Sequence, residues 1–370
     1  MSKELILLVI NFLFNEEIHL ITLYESYSVD IPSAIDFNMD KTYEIIECFP
    51  AEGNVRTYHT KSPVGQILLQ LNFPHGKVGF TNSINLDGGV DLELAFSYLK
   101  NDSLFLVFIK AYSDKSWKYF ITEVRDRVPP KGWIGSICKG GVLKVKYNNK
   151  NILIAVVSTG FDLYPRGVFA IDEEKNEVLW KFVSGATTAR WKVENINGDK
   201  VPELILGSFS PSNGSDYNGF NDFSSYLFVF DMDGRMLFHH VVGSYSTLAE
   251  FIISEPNLEG VRNIYVCELG GVKEEKERNL FLICGKSGEI IKRKKFYENI
   301  IEFNSIDIND DGKEELLILF ISGNCLIVDK DLNIIKKVDL GKGIENLIPL
   351  DINLDGKKRD NSYKTSKLEI

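Results

Sequence analysis

Short apolar runs alternate with short polar turns along almost the whole chain, and almost no segment sustains the spacing of an amphipathic helix. Val168-Phe-Ala-Ile-Asp172-Glu-Glu-Lys-Asn-Glu-Val178-Leu-Trp-Lys-Phe182 reads as strand, turn and strand. The same hairpin grammar covers Tyr226 to Phe238, Leu280 to Ile291 and Cys325 to Ile335. Upstream of these hairpins stand further apolar runs, such as Ile152 to Val157 and Leu316 to Ile321. One unit is therefore four strands. Four-stranded antiparallel sheets repeated radially make a β-propeller, so the expected fold class is all-β.

An acidic loop punctuates these units between their first two strands. Its best copy is Asp307-Ile-Asn309-Asp-Asp311-Gly312-Lys313-Glu-Glu315. Oxygen side chains stand at loop positions one, three, five and nine, with glycine at six, an arrangement that wraps a hard cation such as calcium. Lys313, at position seven, would add only its backbone carbonyl. A second copy is Asn195-Ile-Asn197-Gly-Asp199-Lys200-Val-Pro-Glu203, and a third is Asp36-Phe-Asn38-Met-Asp40-Lys41-Thr-Tyr-Glu44. A fourth, starting at Ser83, offers Asn85, Asp87 and Asp91. Near the end Asp351, Asn353 and Asp355 follow the pattern, but Arg359 stands where an acid is expected. Glu255-Pro-Asn257-Leu-Glu259-Gly260 is a weaker copy, and Leu143 to Asn151 keeps only the strand that follows. The starts, at 36, 83, 143, 195, 255, 307 and 351, imply about seven blades at a period typical of blade repeats.

These loops and the strands behind them resemble the FG-GAP/VCBS repeat of integrin α-chain propellers and many bacterial surface proteins, over residues 30 to 358. The resemblance implies calcium between the first and second strands. Its ligands would be Asp307, Asn309, Asp311 and Glu315; Asn195, Asn197, Asp199 and Glu203; and Asp36, Asn38, Asp40 and Glu44. Lys41 and Lys200 replace the usual glycine. The hairpin halves also resemble quinoprotein-type propellers, without a catalytic signature of that group. Lys131-Gly-Trp133-Ile-Gly-Ser136, Gly160 to Phe169 and the long Ser208 to Ser225 insert resemble sensor or ligand-binding propellers of bacterial extracytoplasmic proteins, which are often fused to a signalling module.

At 370 residues a single propeller over 31–358 is the natural size, with 1–30 an N-terminal segment and 359–370 a polar tail. The net charge of −10 argues against a nucleic-acid partner, and bound cations would relieve part of it. The five cysteines are isolated, mostly in apolar runs, and read as small core residues. No run reaches the ~20 apolar residues of a membrane span. Leu5 to Phe14 reads either as the core of a signal peptide or as a strand that forms a hairpin with Ile18 to Tyr24. The tail after Gly356 cannot be a buried strand, so the last blade is either closed by N-terminal strands or cut short.

The connections between second and third strands lie at the opposite end from the acidic loops. That face would carry Phe161, Asp162, Tyr164 and Arg166, then Asn213, Tyr217, Asn218 and Asn221 from the insert, with Trp133 and Trp191 at blade entries. Aromatic rings beside amides, an acid and an arginine suit a glycan, a small solute or a protein surface. The expected function is a calcium-stabilised, extracytoplasmic binding, sensing or adhesion module without catalysis. The alternatives are a polysaccharide lyase or hydrolase using Asp162 and Arg166, and a purely structural ring. No nucleophile elbow, P-loop or zinc-protease motif occurs in the chain.

Overall fold

The computed structural model describes residues 82–110, 115–124, 141–157, 165–271, 277–307 and 314–341 in full. It describes the backbone alone of strands at 4–8, 21–26, 33–35, 44–51, 55–61, 67–73, 77–81, 125–126, 163–164, 348–350 and 359–361. The chain divides into two compact units, Met1–Phe182 and Val183–Ile370. The described residues contain strands and turns and no helix.

The first unit holds three four-stranded antiparallel sheets, each laid down in strict sequence order. The first is Ser33–Ile35, Glu44–Ala51, Val55–Lys61 and Ile67–Phe73. The second is Lys77–Ile84, Glu93–Lys100, Ser103–Lys110 and Ser116–Glu123. The third is Val142–Tyr147, Lys150–Ser158, Arg166–Asp172 and Glu177–Val183. Glu4–Leu8 pairs with Ile21–Ser26, so an N-terminal hairpin forms, shifted outward from the apolar runs Leu5 to Phe14 and Ile18 to Tyr24.

The second unit continues the pattern. Its fourth sheet is Thr187–Glu194, Glu203–Phe209, Ser224–Phe230 and Met236–Ser244. Its fifth is Thr247–Ile253, Asn263–Gly270, Arg278–Cys284 and Ile290–Phe296. The pair Phe209↔Leu248 joins the two. The sixth is Ile300–Ile306, Glu315–Phe320, Asn324–Val328 and Ile334–Asp339. Ile348–Leu350 then pairs with Arg359–Asn361. The polar tail thus begins with a short paired strand, because a ladder needs only backbone groups; its burial lies outside what is described. These sheets are the blades of a β-propeller.

Among the described residues, second strands are buried on both faces over most of their length, as are the third strands of the third to sixth sheets, which explains their unbroken apolar runs. Alternation sorts their side chains between neighbours. Ile264 and Val266 pack with Ile205, Leu227 and Val229 of the fourth sheet. Tyr265, Cys267 and Leu269 turn the other way, onto Phe303, Leu316, Ile318 and Phe320 of the sixth. Fourth strands are exposed along most of their length, as in Ile334–Asp339. Among the described side chains, Cys267 and Cys325 are buried in the core and Cys284 is half-buried.

The fourth and fifth sheets meet closely at Gly207, where an added Cβ would stand 2.1 Å from the Ala249 carbonyl oxygen. Backbone cannot yield as a flexible side chain can. Gly207→Ala is expected to cost about 1–3 kcal/mol by overpacking. Urea unfolding checks this, and an unchanged midpoint would refute the close approach.

Candidate functional site

The acidic loops sit between the first and second strands of their sheets. In the fourth sheet Asn195–Pro202 links Glu194 to Glu203. Its inner wall is the buried Ile196, and its closing residue, Glu203, is buried too. Glu203 Oε2 accepts a hydrogen bond from the Ile196 N–H at 2.9 Å, and Oε1 accepts one from Asn197 Nδ2 at 2.6 Å. The same amide nitrogen reaches Asp199 Oδ2 at 3.0 Å, so it stands between two carboxylates. Asn195 Oδ1 takes the Gly198 N–H at 2.9 Å, and Asp199 Oδ1 takes that of Val201 at 2.8 Å. Lys200 holds φ at 72°, the conformation that the usual glycine favours.

Burial pushes the Glu203 carboxyl above its ordinary value, and the charges of Asp199 and Asp231 push it further. Asp231 follows Phe230, the cross-strand partner of Leu204. The donor set of this loop therefore suits a hard cation chemically. Among the described residues, however, no three carboxylate, imidazole or thiol groups close on a metal-sized position.

In the second sheet the loop runs in a register two residues later than its sequence implies. Asn85 Oδ1 takes the Gly88 N–H at 2.7 Å, and the buried Glu93 takes that of Leu86. Glu93 begins the second strand and closes the loop; Asp91 does not. Asp87 Oδ1 accepts the Gly89 N–H at 2.8 Å, and its Oδ2 meets Lys110 Nζ at 2.7 Å. That ammonium, with the Gly89 N–H, holds the Asp87 carboxyl below the usual carboxylate range.

The remaining copies differ. In the third sheet Asn148 and Asn149, with φ at 48° and 60°, make a two-residue turn, and no acidic loop forms. In the fifth, Asn257 Oδ1 binds the N–H groups of Glu259 and Val261, and the second strand opens with the neutral Asn263. In the sixth, Asp307 and the buried Glu315 flank a loop whose Asn309, Asp311 and Lys313 lie outside the described residues. Asp36, Asn38, Asp40, Asp351, Asn353 and Asp355 lie outside them as well, and Glu44 is described only as the start of a strand.

At the opposite end the Ser208 to Ser225 insert is an ordered hairpin. Asp216–Tyr217 pairs with Phe220–Asn221. The buried Asp222 carboxylate accepts the N–H groups of Asn213 at 2.7 Å and Gly214 at 3.1 Å. Asn213 Oδ1 accepts from Ser215, Asn221 Oδ1 from the Phe223 N–H, and Asn218 Nδ2 donates to the Val183 carbonyl. Phe220 stands edge-on to Tyr226, Phe228 and His239 and fixes the base. Tyr217 projects from the tip, and Phe223 and Tyr245 are exposed beside one another with ring centroids 6.1 Å apart.

Two of the sequence-based choices for this face change. Arg166 is wholly buried at the start of the third strand of its sheet. Arg278, the first residue of the third strand in the fifth sheet, is buried likewise, bound to Asn299 Oδ1 at 2.6 Å and Glu268 Oε1 at 3.3 Å. An arginine at this position is a buried tie. Trp191 lies half-buried on a first strand, opposite Leu206, and not at the loop end. Trp133, Phe161 and Asp162 lie outside the described residues, and Tyr164 is described only through its backbone pairing with Arg125.

One charged group escaped the sequence reading. Arg190 Nε meets Glu250 Oε2 at 2.6 Å across the first strands of the fourth and fifth sheets. Glu302, on the first strand of the sixth, accepts from Asn304 Nδ2 at 3.0 Å. Burial raises both glutamates above their ordinary value, and the Glu250 charge adds to the shift of Glu302. The signal was a charged residue before an aromatic in three first strands, Arg190-Trp191, Glu250-Phe251 and Glu302-Phe303.

No protein-family model matches the chain, and no curated protein sequence is similar to it. Solved structures resemble it in fold. A rhamnogalacturonan lyase of family PL11 from Bacillus licheniformis aligns over 90% of this chain and 64% of its own, with a TM-score of 0.53 and 13% identity. The Dos1 propeller aligns over 82% and 70%, with a TM-score of 0.46 and 11% identity. BBS1N, from its complex with ARL6DN, aligns over 90% and 86%, with a TM-score of 0.43 and 9% identity.

A raised carboxyl makes the folded state hold a proton that the unfolded chain has lost. Stability therefore falls as pH rises from the ordinary Glu302 value of 4.5 through its raised folded value, and is fully present below that window. Glu302→Gln removes this loss. Its melting temperature relative to the parent is expected to be higher at about pH 7 than at about pH 4. An offset that is constant between the two refutes the shift.

Proposed function

We propose that this chain is a non-catalytic β-propeller binding module that grips a protein partner through the insert end of its fourth sheet. The observation that carries this reading is the display of Tyr217, Phe223 and Tyr245, between 40% and 46% exposed, on a hairpin tied by the Asp222 carboxylate to the Asn213 and Gly214 N–H groups and by Ser215 to Asn213. Ser208 to Ser225 is built almost wholly from serine, asparagine, glycine and aromatic residues. That is the residue set of antibody binding loops, where rigid rings supply contact area at low entropic cost. Tyr245 and Ser246 hold φ at 58° and 62°. Left-handed backbone at non-glycine residues costs about 1–3 kcal/mol each and is retained where function gains from it. The buried state of Arg166 leaves the lyase or hydrolase alternative without the arginine of its proposed pair.

Calcium belongs to this proposal at the Asn195 loop. Asn195, Asn197, Asp199 and Glu203 would hold it, with the Asn197 amide presenting its oxygen in place of its nitrogen. The ion would balance the Asp199 and Asp231 charges that help raise the Glu203 carboxyl. Loops of this affinity class need roughly 10⁻⁴–10⁻³ M calcium, which favours an extracytoplasmic, calcium-rich setting for this reading.

Affinity capture with the parent chain and with a Tyr217→Ala/Phe223→Ala/Tyr245→Ala variant tests the binding face, alongside a glycan array. The expected result is a protein held by the parent and released by a variant that melts at the parent temperature. Retention by both, or binding of glycans alone, would overturn the reading. For the loop, calcium at a hundredfold excess over its dissociation constant is expected to add about 2.7 kcal/mol of stability, and Asp199→Asn to remove that gain. Thermal melts in calcium and in chelator measure both.

A further inference from the structure

Three sheets share one arrangement at the acidic end. A buried glutamate opens the second strand: Glu93, Glu203 and Glu315 in the second, fourth and sixth sheets. Across from it stands the last residue of the third strand or the one just after. In the fourth and sixth sheets that neighbour is an aspartate, Asp231 or Asp329, each following the partner of the residue after the glutamate. In the second sheet it is Lys110, the registered partner of Glu93.

The lysine is not on an open surface. Its ammonium lies 2.7 Å from Asp87 Oδ2 and 3.6 Å from Glu93 Oε1. Glu93 is wholly buried, and its Oε1 has no hydrogen-bond partner, so this oxygen faces the loop with Lys110 as the nearby cation. A second ammonium, Lys144 of the third sheet, donates to the Leu86 carbonyl in the same loop and pairs with Glu173 at 2.9 Å. Asn85 spends its side-chain oxygen on Gly88 and its nitrogen on the Gly89 carbonyl. The side-chain oxygens of Asn85, Asp87 and Glu93 are each either engaged by the chain or face an ammonium. A divalent cation would have to displace Lys110 and be repelled by it.

We infer that the second sheet's acidic loop is a metal-independent closure, in which the Lys110 ammonium holds the place of the calcium ion that its sequence pattern implies. The repeat thus carries two versions of one joint. With aspartate across from the closing glutamate, the facing charge is negative, and in the fourth sheet the chain's own Arg235 meets that aspartate at 3.1 Å. With lysine there, the charge is balanced by the chain. The inference does not depend on whether the Asn195 loop binds calcium.

The test uses the full chain, melted in chelator and in millimolar calcium. In chelator, Lys110→Met is expected to melt roughly 4 °C or more below the parent, since it leaves a buried carboxylate without its cation. Lys110→Arg is expected to keep most of the parent's stability. The loss from Lys110→Met is expected to shrink in an Asp87→Asn/Glu93→Gln background, where no charge remains to be balanced. An undiminished loss there would show that the lysine acts through packing alone and overturn the inference. So would a Lys110→Met chain that melts with the parent. If Lys110→Met does not fold, Asp87→Asn in the parent background decides. It is expected to leave any calcium response unchanged, and loss of that response would place the metal in this loop after all. Asp199→Asn, which reports on the fourth sheet, separates that failure from failure of the calcium proposal there.

Discussion

In the second and fourth sheets the joint between first and second strands rests on one buried carboxylate. Glu93 and Glu203 each accept the N–H of the second residue of the loop before them, Leu86 or Ile196. Those two residues are themselves buried, so their amides have no water to bind. An unpaired amide there would cost about 1–3 kcal/mol. A glutamate reaching back from the next strand satisfies the amide and fixes how the loop leaves the sheet. Once that carboxylate is buried, the rest of the loop must offset its charge. The second sheet uses Lys110, and the fourth uses the Asn197 amide.

The other end of the sheets solves the same problem with different groups. In the fourth sheet Ser210, Ser225 and Thr247 share a buried hydroxyl cluster, with Ser225 Oγ and Thr247 Oγ1 2.9 Å apart. In the fifth, Arg278 ties Glu268 to Asn299, and Asn279 holds the second Glu268 oxygen at 2.8 Å. Neutral groups can be rearranged with little electrostatic cost, whereas a buried ion pair is expensive to disturb. The insert sits on the sheet with the hydroxyl cluster, and its own Asp222 binds its Asn213 and Gly214 N–H groups. Phe220 packs onto the sheet, while Tyr217 and Phe223 face outward.

The first strands add a third polar zone. Arg190, Glu250 and Glu302 occupy matching register positions, opposite Gly207, Cys267 and Leu319. Burial opposes the ionised state of both glutamates, and Arg190 supplies one positive charge nearby. This zone couples three consecutive sheets through charge where the outer strands couple them through apolar contact.

Much of the fold was legible in the chain itself. Unbroken apolar runs, hairpins such as Val168 to Phe182, and an acidic loop before most second strands are local signals, set by backbone hydrogen bonding and by which residues tolerate a turn. They specified four-stranded units and the place of the loops. They did not specify register, and one case shows why. Asn85-Leu-Asp87 and Ser83-Ile-Asn85 both satisfy an alternating acidic pattern, and only the burial of Leu86 and Glu93 chooses between them. The burial of Arg166, the meeting of Arg190 with Glu250, and the approach of Lys110 to Asp87 were equally hidden. Lys110 lies 23 residues from Asp87 along the chain. Charge, burial and partnership act through space, so packed sheets decide them, whereas turns and strands are decided by neighbours in sequence.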